Sequence, residues 1–260
     1  MLLPGGFQDL ASARSSRASF ANLNGLAELE LWESLESSET RPEKITQILD
    51  IAFELGGEDR SSAHLCSADR DFLLSKYALS QGITHLWLSS TCPDCETQFD
   101  VPVDLEGLPI KPAGSDYGTL TFEWEHKSYK CHIPTGSDLA QISERPPKDA
   151  LVALVKLCFD EDLPENLNIE SILKDLDKVL EATAPEIPTS INAACPDCGA
   201  EAKLDFDIAK AVIETFENPL EDVHDIASAY HWNETQILQL PRSRRQAYLK
   251  LIDDENGITR

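Results

Sequence analysis

The spacing of apolar side chains predicts helices in the first third of the chain. Apolar residues recur every three or four positions in 41–57, after an Arg-Pro-Glu start and before a Gly-Gly stop. The same period continues over Ser67–Ser80, where Ser67 is the predicted N-cap and Gly82 the stop. A shorter acidic helix is predicted over 24–36, and the Ser- and Arg-rich segment before it has the composition of a loop.

The period changes to that of β-strands in the middle of the chain. Residues 85–88 have a strand-like composition, and apolar and polar side chains alternate over 99–105, on the other side of a cysteine turn. Segments 119–125 and 128–133 alternate in the same way on either side of His126-Lys127, which predicts a hairpin.

Helical spacing returns over 138–180 and again after Pro219. The chain is therefore predicted to be an α+β protein whose β-rich centre is flanked by N-terminal and C-terminal helices. The predicted regions are an N-terminal arm and short helix (1–40), a helical region (41–90), a first CPDC turn with β-hairpins (91–137), a helical insertion and linker (138–190), a second CPDC turn (191–217) and C-terminal helices (218–260).

The two CPDC sequences belong to an internal repeat. Residues 91–105 and 194–208 share the Cys-Pro-Asp-Cys turn and the alternating apolar positions after it, such as Val103 and Phe206. Each copy is predicted to be a cysteine turn followed by a strand.

The cysteines of these turns have the spacing of metal ligands. A C-P-x-C turn directs two thiolates to one side, so Cys92, Cys95, Cys195 and Cys198 supply the four ligands of a tetrahedral Zn²⁺ site. The two pairs are far apart in sequence, but the free energy of loop closure rises by only ~0.6 kcal/mol per doubling of length. One shared structural Zn²⁺ is predicted in a split zinc-ribbon-like centre, with no position open for a substrate.

Two other interpretations of the cysteine turns remain open. A redox dithiol of the thioredoxin type places CxxC at the start of a helix, whereas a strand follows each pair here. Two independent metal sites would each need a further ligand, such as His85, Cys131 or His132. The cysteines outside the turns, which also include Cys66 and Cys158, are predicted to be buried small apolar residues.

The charge of the chain excludes several classes of partner. Among 260 residues, 22 Lys and Arg stand against 46 Asp and Glu, which gives a net charge of −24. This charge repels phosphate backbones and anionic headgroups, so neither nucleic acid nor a membrane is an expected partner. The chain has no apolar run of ~18–20 residues and no secretory signal pattern at its N-terminus, so a cytoplasmic location is predicted. It also lacks P-loop, GxGxxG, GxSxG and HExxH motifs, and no enzymatic activity is predicted.

A basic cluster near the C-terminus contrasts with this acidic composition. Arg242, Arg244 and Arg245 lie in the first turn of a helix that is predicted to begin after Pro241, where the helix dipole disfavours positive charge. Two compensating environments are open. One is the acidic surface of the chain itself, and the other is an acidic patch on a partner protein that the three arginines bind.

Several motifs together resemble one protein family. They are LPGGF near the N-terminus, ADRDFLLSK before the first CPDC, CPDCG followed by LDFDIA, and a C-terminal DIASAYHWNETQILQLPRSRRQAYLKLI. Over roughly 1–10, 41–105 and 138–255, the chain resembles the baseplate hub assembly chaperones of T-even-type contractile-tailed phages. It is also similar to their counterparts in phage-tail-like contractile injection systems.

This resemblance implies a non-enzymatic protein that acts in the assembly of a baseplate, central hub or spike. Its implied partners are hub, spike or tail-tube proteins. The first turn departs from the usual pattern of such turns, because Glu96 stands where a glycine is common. The favoured function is a transient assembly chaperone or adaptor, and the alternative is a permanent structural component of the baseplate.

Overall fold

Helices and two short strands form the N-terminal part of the molecule. The computed structural model describes residues 1–8, 16–21, 23–37, 39–56, 60–163 and 168–257. The first elements are β1 (Ala18–Phe20), α1 (Gly25–Glu36), α2 (Arg41–Ala52), β2 (Phe53–Leu55), a 3₁₀ turn (Ser62–His64) and α3 (Ser67–Ser80). β1 and β2 pair antiparallel, and the predicted short helix is α1.

The boundary between α2 and β2 differs from the prediction. The helix ends at Ala52 and not at the Gly-Gly pair, because Phe53 and Leu55 are both buried and their backbones pair with β1. The same pairing places Ala18–Phe20 in a strand, although Ala18 and Ser19 belong to the Ser- and Arg-rich segment that was predicted to be a loop. Residues 11–15 of that predicted loop lie outside the described residues.

Helix α3 is largely buried and has the predicted bounds. Eight of its 14 residues are buried, including Asp69. Its N-cap is Cys66 and not the predicted Ser67: Cys66 is extended, and its thiol donates to the Asp69 carboxylate 3.3 Å away. Asp69 also accepts the backbone N–H groups of Gly5 and Gly6 at 2.8 Å each, which fixes the N-terminal segment against α3.

Two hairpins and three helices form the middle of the chain. The elements are β3 (His85–Thr91), β4 (Gln98–Asp104), β5 (Thr121–Trp124), β6 (Lys127–Lys130), α4 (Gly136–Ile142), α5 (Pro147–Leu157) and α6 (Ile169–Thr183). β3 pairs antiparallel with β4, and β5 pairs antiparallel with β6. The loop of the β5–β6 hairpin is Glu125-His126, whose φ angles of 46° and 66° are those of a tight two-residue turn.

A third hairpin and four helices complete the chain. The elements are β7 (Ser190–Ala194), β8 (Glu201–Asp205), α7 (Ile208–Ile213), α8 (Pro219–Tyr230), α9 (Glu234–Leu238) and α10 (Arg242–Asn256). Every sheet in the described part of the chain is a two-stranded antiparallel pair, so small hairpins mix with helices and the α+β class is confirmed. None of the described helices has both the length and the apolar composition needed to cross a membrane.

Buried apolar side chains form three clusters. The first cluster contains side chains from α1–α3 and from both cysteine hairpins, including Val103 and Phe206. The second belongs almost entirely to the segment between those hairpins, and the third joins α8–α10 to α1. Lys111 and Glu186 form two reciprocal backbone hydrogen bonds of 2.9 and 3.0 Å. The two ends of the segment between the cysteine hairpins therefore lie next to each other.

Candidate metal centre

The two CPDC turns have the same backbone hydrogen bonds. The Cys92 N–H donates to the Thr97 carbonyl at 2.9 Å, and the Cys195 N–H donates to the Ala200 carbonyl at 2.8 Å. Each turn is closed by a second bond to the carbonyl of its first cysteine, from Glu96 in one case and Gly199 in the other. The repeat seen in the sequence is therefore a repeat of backbone geometry.

Each copy of the repeat is a complete hairpin and not only a turn with a strand after it. The first turn joins β3 to β4, and the second joins β7 to β8. The strand before the second turn was missed because its sequence, Ser-Ile-Asn-Ala-Ala, has too few large apolar residues to reveal an alternation. Val103 and Phe206, the equivalent apolar positions of the repeat, are both buried in the first core cluster.

The structure brings the four turn cysteines together. All four Sγ atoms lie within 4.8 Å of one another, and the pairs Cys92–Cys198 and Cys95–Cys195 are each 3.6 Å apart. Sulfurs that surround one Zn²⁺ with bonds of ~2.3 Å lie ~3.8 Å from each other. The four cysteines are therefore close enough to hold one metal ion, whereas the sulfurs of a disulfide are only ~2.05 Å apart.

Burial divides the four turn cysteines into two equivalent pairs. The first cysteine of each turn, Cys92 and Cys195, is buried, and the second, Cys95 and Cys198, is exposed. The site thus has one side against the protein core and one side at the surface. This arrangement follows the repeat, because equivalent positions in the two hairpins have the same environment.

A side-chain contact joins the two turns beside the sulfurs. The Thr97 hydroxyl donates to the Asp197 carboxylate at 2.7 Å, across the boundary between the hairpins. Neither residue was predicted to have a role. The only signal in the sequence is that Thr97 departs from the repeat, since its equivalent in the second copy is Ala200.

The thiols influence one another electrostatically. The hydroxyl and the backbone N–H of Thr97 lie against the Cys95 sulfur and lower its pKa to about 6. The backbone N–H of Ala200 acts in the same direction on Cys198, but the sulfurs of Cys95 and Cys92 outweigh it and raise the pKa of Cys198 to about 12. Four thiolates this close together would repel one another, so all four could be ionised together only around a bound cation.

The other candidate ligands lie elsewhere. The ring of His85 contacts the Thr84 hydroxyl at 2.9 Å, and that of His132 contacts the Asp138 carboxylate at 3.1 Å. Cys131 is buried and forms a β-bridge with Phe159. Among the described residues, the four turn cysteines are the one group of three or more His, Cys, Asp or Glu that could hold a metal, so the interpretation as two sites has no support.

The three cysteines outside the turns are buried, as predicted. Burial raises the pKa of the Cys131 thiol to about 11 and that of Cys158 to about 12, and it raises the pKa of Cys66 further. A buried thiol that stays protonated is a poor nucleophile and a poor metal ligand. These three residues therefore act as small packing groups.

The C-terminal arginines have different environments. Arg245 is 1% exposed: it forms an ion pair with Glu28, donates from Nε to Asp222 at 3.2 Å and donates from Nη1 to the Leu240 carbonyl at 2.9 Å. Its predicted role in binding a partner is therefore wrong, because the side chain is enclosed by the chain's own acidic residues.

The other two arginines of the cluster are nearer the surface. Arg242 forms an ion pair with Glu217 at 2.7 Å, and its side chain is 36% exposed. Arg244 is exposed and has no ion-pair partner among the described residues. Of the three arginines, Arg244 is thus the one whose charge is fully available to a partner.

Comparisons of the chain with protein-family models, with curated proteins and with solved structures find no match. The interpretation of the site therefore depends on its own geometry.

Proposed function

We propose that Cys92, Cys95, Cys195 and Cys198 bind one structural Zn²⁺ in a split zinc-ribbon-like centre. The observation that carries this proposal is the convergence of four sulfurs, from two matching turns, at spacings close to those of a tetrahedral four-thiolate site. Zn²⁺ has no geometric preference that such a site would violate. The ion would also neutralise the repulsion between the thiolates.

A four-thiolate site leaves no coordination position for a substrate or a water molecule. Sites of this kind contribute to folding and not to catalysis. We therefore expect the metal to fix the two hairpins against each other and the protein to have no enzymatic activity. A metal-dependent hydrolase would instead need three protein ligands and an open fourth position.

The protein function proposed for this scaffold is that of an assembly chaperone or adaptor for the baseplate hub or spike of a contractile phage tail or injection system. Its support is the resemblance of the motifs near both cysteine turns and in the C-terminal helices. The net charge of −24 agrees with a partner surface that is basic, since charge complementarity steers such association. The proposed partners are hub, spike or tail-tube proteins, and the location is the cytoplasm of a bacterial cell.

The metal proposal can be tested by elemental analysis of the purified protein. We expect one zinc per chain, and Co²⁺ substitution should give the intense absorption of a tetrahedral thiolate site. Cys195→Ser should lose the metal and destabilise the protein strongly, since structural zinc contributes on the order of 10 kcal/mol in small domains. Cys158→Ser is the matched control, because it removes a buried thiol outside the site and should retain one zinc. Two metals per chain, or none, would contradict the proposal.

The assembly function is tested separately. Co-expression of the chain with each neighbouring tail protein should give a stable complex with a hub, spike or tube component. Mass spectrometry of purified mature particles then distinguishes the two forms of the proposal. A chaperone is absent from the particle, whereas a permanent baseplate component is present at a fixed ratio to the other proteins.

A further inference from the structure

The first cysteine hairpin, β3–β4, exposes a tryptophan. Trp87 is 68% exposed, whereas Trp32, Trp124 and Trp232 are each partly buried. An aromatic side chain that a partner covers removes about 150–250 Å² from water, so an uncovered tryptophan forgoes a large favourable term in free energy. Tryptophan is also among the residues most enriched at the centres of protein–protein interfaces. Trp87 therefore marks a candidate interaction surface.

We call the exposed side of this hairpin the Trp87 face. It consists of every second residue of the two strands: His85, Trp87, Ser89 and Thr91 on β3, and Gln98, Asp100, Pro102 and Asp104 on β4. Trp87 lies directly opposite Pro102, and the neighbouring pair Leu86–Val103 is buried in the first apolar cluster. Because successive side chains of a strand point to opposite faces, this burial directs Trp87 outward. The Trp87 face is therefore fixed before a partner binds, which reduces the entropy lost on binding.

The second cysteine hairpin shows that the repeated fold does not require a tryptophan at this position. The repeat places Ser190 where the first hairpin has Trp87. The residue opposite Ser190 is Asp205, which is the equivalent of Pro102. The same backbone geometry is thus built without a large apolar side chain. Binding to another molecule explains Trp87 better than the stability of the hairpin does.

The segment around Trp87 is acidic and has no cation of its own. Residues 77–110 contain five Asp or Glu and no Lys or Arg, whereas the second hairpin has Lys203 at the position of Asp100. Among the described residues, cations lie over the rings of Phe7, Phe72 and Tyr129, and none lies over Trp87. The charge of the Trp87 face is therefore complementary to a cation supplied by another molecule.

Two carboxylates flank Trp87 from the opposite strand. Asp100 and Asp104 are its diagonal neighbours across the hairpin, a spacing of about 7–8 Å that long side chains can bridge. Asp100 accepts the Ser89 hydroxyl at 2.7 Å, and Asp104 accepts the Glu106 N–H at 2.9 Å. Both donors are neutral, and the ion pairs of the described residues include neither carboxylate. Both negative charges are therefore positioned and available.

We propose that the Trp87 face binds a basic protein segment, with an arginine of the partner against the Trp87 ring and Asp100 or Asp104 as its ion-pair partner. Tryptophan is the aromatic side chain that attracts cations most strongly, and the planar guanidinium group stacks on a ring while it donates to a carboxylate. This inference rests on the proposed assembly function, because it takes the occupant to be a basic surface of a hub, spike or tube protein.

The first test uses capped peptides in which glycine alternates with arginine, with lysine or with citrulline, which has the shape of arginine without its charge. Binding to the full-length, metal-loaded protein is measured by calorimetry at physiological ionic strength, where distant surface charges are screened. We expect saturable binding of the arginine peptide, weaker binding of the lysine peptide and none of the citrulline peptide.

Two variants take their residues from the second hairpin and should therefore fold, which circular dichroism verifies. Trp87→Ser should weaken binding of the arginine peptide about tenfold or more, as expected for an aromatic residue at the centre of an interface. Asp100→Lys should weaken it by a similar factor and make the affinity less dependent on salt concentration, because one ion pair is lost.

Two control variants change similar properties on other elements. Leu251→Ser removes an apolar side chain that is 52% exposed on α10, and Glu30→Lys reverses an exposed negative charge on α1. Both should leave the affinity for the arginine peptide within about twofold. If the controls weaken binding as much as Trp87→Ser and Asp100→Lys do, the peptide is attracted to general surface charge and the proposal is wrong. Failure of the arginine peptide to bind, or equal binding of the lysine or citrulline peptide, would also overturn it.

Co-expression with tail proteins separates this inference from the assembly function. A wild-type chain that captures no hub, spike or tube protein contradicts the assembly function, while the peptide measurements still decide the role of the Trp87 face. A complex that Trp87→Ser retains at full yield leaves the assembly function intact and contradicts the proposed surface. Light scattering of the purified chain tests a second copy as occupant: a dimer that Trp87→Ser converts to a monomer would overturn the proposal.

Discussion

Two equivalent turn residues differ in their fit to the backbone. Glu96 has a φ of 59° and Gly199 has a φ of 76°, so both are in the left-handed region. Glycine adopts this region freely, whereas for a residue with a Cβ this conformation is less favourable by about 1 kcal/mol or more. The second cysteine turn therefore has the better-suited residue, and the first carries local strain.

Exchanging these residues should have opposite effects on stability. We expect Glu96→Gly to raise the free energy of unfolding by about 0.5 kcal/mol, because part of the relieved strain is offset by the greater freedom of glycine in the unfolded chain. Gly199→Ala should lower it by about 1 kcal/mol. No atom outside the adjacent residues lies within 4 Å of the added Cβ, so the effect comes from the backbone alone. Denaturant unfolding of the metal-loaded proteins measures both changes, and a shift of the same sign in both variants would contradict this explanation.

Asp71 is a residue whose charged form the fold disfavours. Burial raises the pKa of its carboxyl group to about 6, the nearby Asp207 acts in the same direction, and Arg70 and Arg41 oppose the shift. A carboxyl group with a higher pKa in the folded than in the unfolded protein destabilises the fold once it is ionised. This cost develops as the pH rises from about 4 to about 6 and is constant above that window.

Asp71→Asn should therefore become more stable relative to wild type as the pH rises through this window. The asparagine does not ionise, so the difference in free energy of unfolding should increase up to about pH 6 and then level off. Urea denaturation of the two proteins, compared in the same metal state at each pH, measures the difference and cancels the titration of the shared cysteines. A difference that is flat or falls with pH would mean that the carboxyl group is not disfavoured.

At the scale of elements, the buried Arg245 joins helices from opposite ends of the chain. Its guanidinium group links α10 to Glu28 on α1 and to Asp222 on α8. Gly25 permits this close approach, since a Cβ at that position would lie 2.7 Å from an Nη atom of Arg245. One charged side chain therefore adds a polar link to the apolar cluster that already joins the N-terminal and C-terminal helices.

Arg245→Ala should lower the free energy of unfolding by about 3–5 kcal/mol, because it leaves two partly buried carboxylates without their partner. Arg244→Ala, in the same helical turn, is the control and should change it by less than about 0.5 kcal/mol. Thermal and denaturant unfolding measure both. If Arg244→Ala instead abolishes capture of a tail protein while the fold is intact, the exposed arginine is a partner contact.

The sequence allowed prediction of the elements that have strong local signals. The bounds of α3 follow from apolar spacing over four turns, and the clustering of the four turn cysteines follows from a repeated turn. Strand β2 could not be predicted, because three residues that continue an apolar helix become a strand only through pairing with β1. The burial of Arg245 could not be predicted either, because its ion-pair partner Glu28 is 217 residues away in the sequence.

For the whole molecule, the division into three apolar clusters predicts how far the effect of removing the proposed metal extends. The cysteine hairpins contribute to the first cluster, whereas α8–α10 form a cluster of their own with α1. Removal of the metal with a chelator should expose the amides of both turns, including those of Cys92 and Cys195, to faster hydrogen exchange. Helices α8–α10 should keep their protection, because their buried contacts do not involve the hairpins.

Hydrogen exchange followed by mass spectrometry, with and without chelator, measures this pattern. The β5–β6 hairpin is an internal control, since its residues belong to the second cluster and not to the metal centre. A uniform loss of protection over the whole chain would mean that the metal supports all three clusters together.

The separation of the two cysteine turns also has a consequence for synthesis on the ribosome. About 100 residues separate the turns, so translation at about 5–20 residues per second delivers the second turn about 5–20 s after the first. During that interval the first turn offers a metal only two sulfurs, while the segment between the hairpins can already begin to form its own apolar cluster. Full coordination of the proposed metal is possible only after Cys198 has emerged. Tight metal binding would therefore mark the chains whose synthesis has passed that residue.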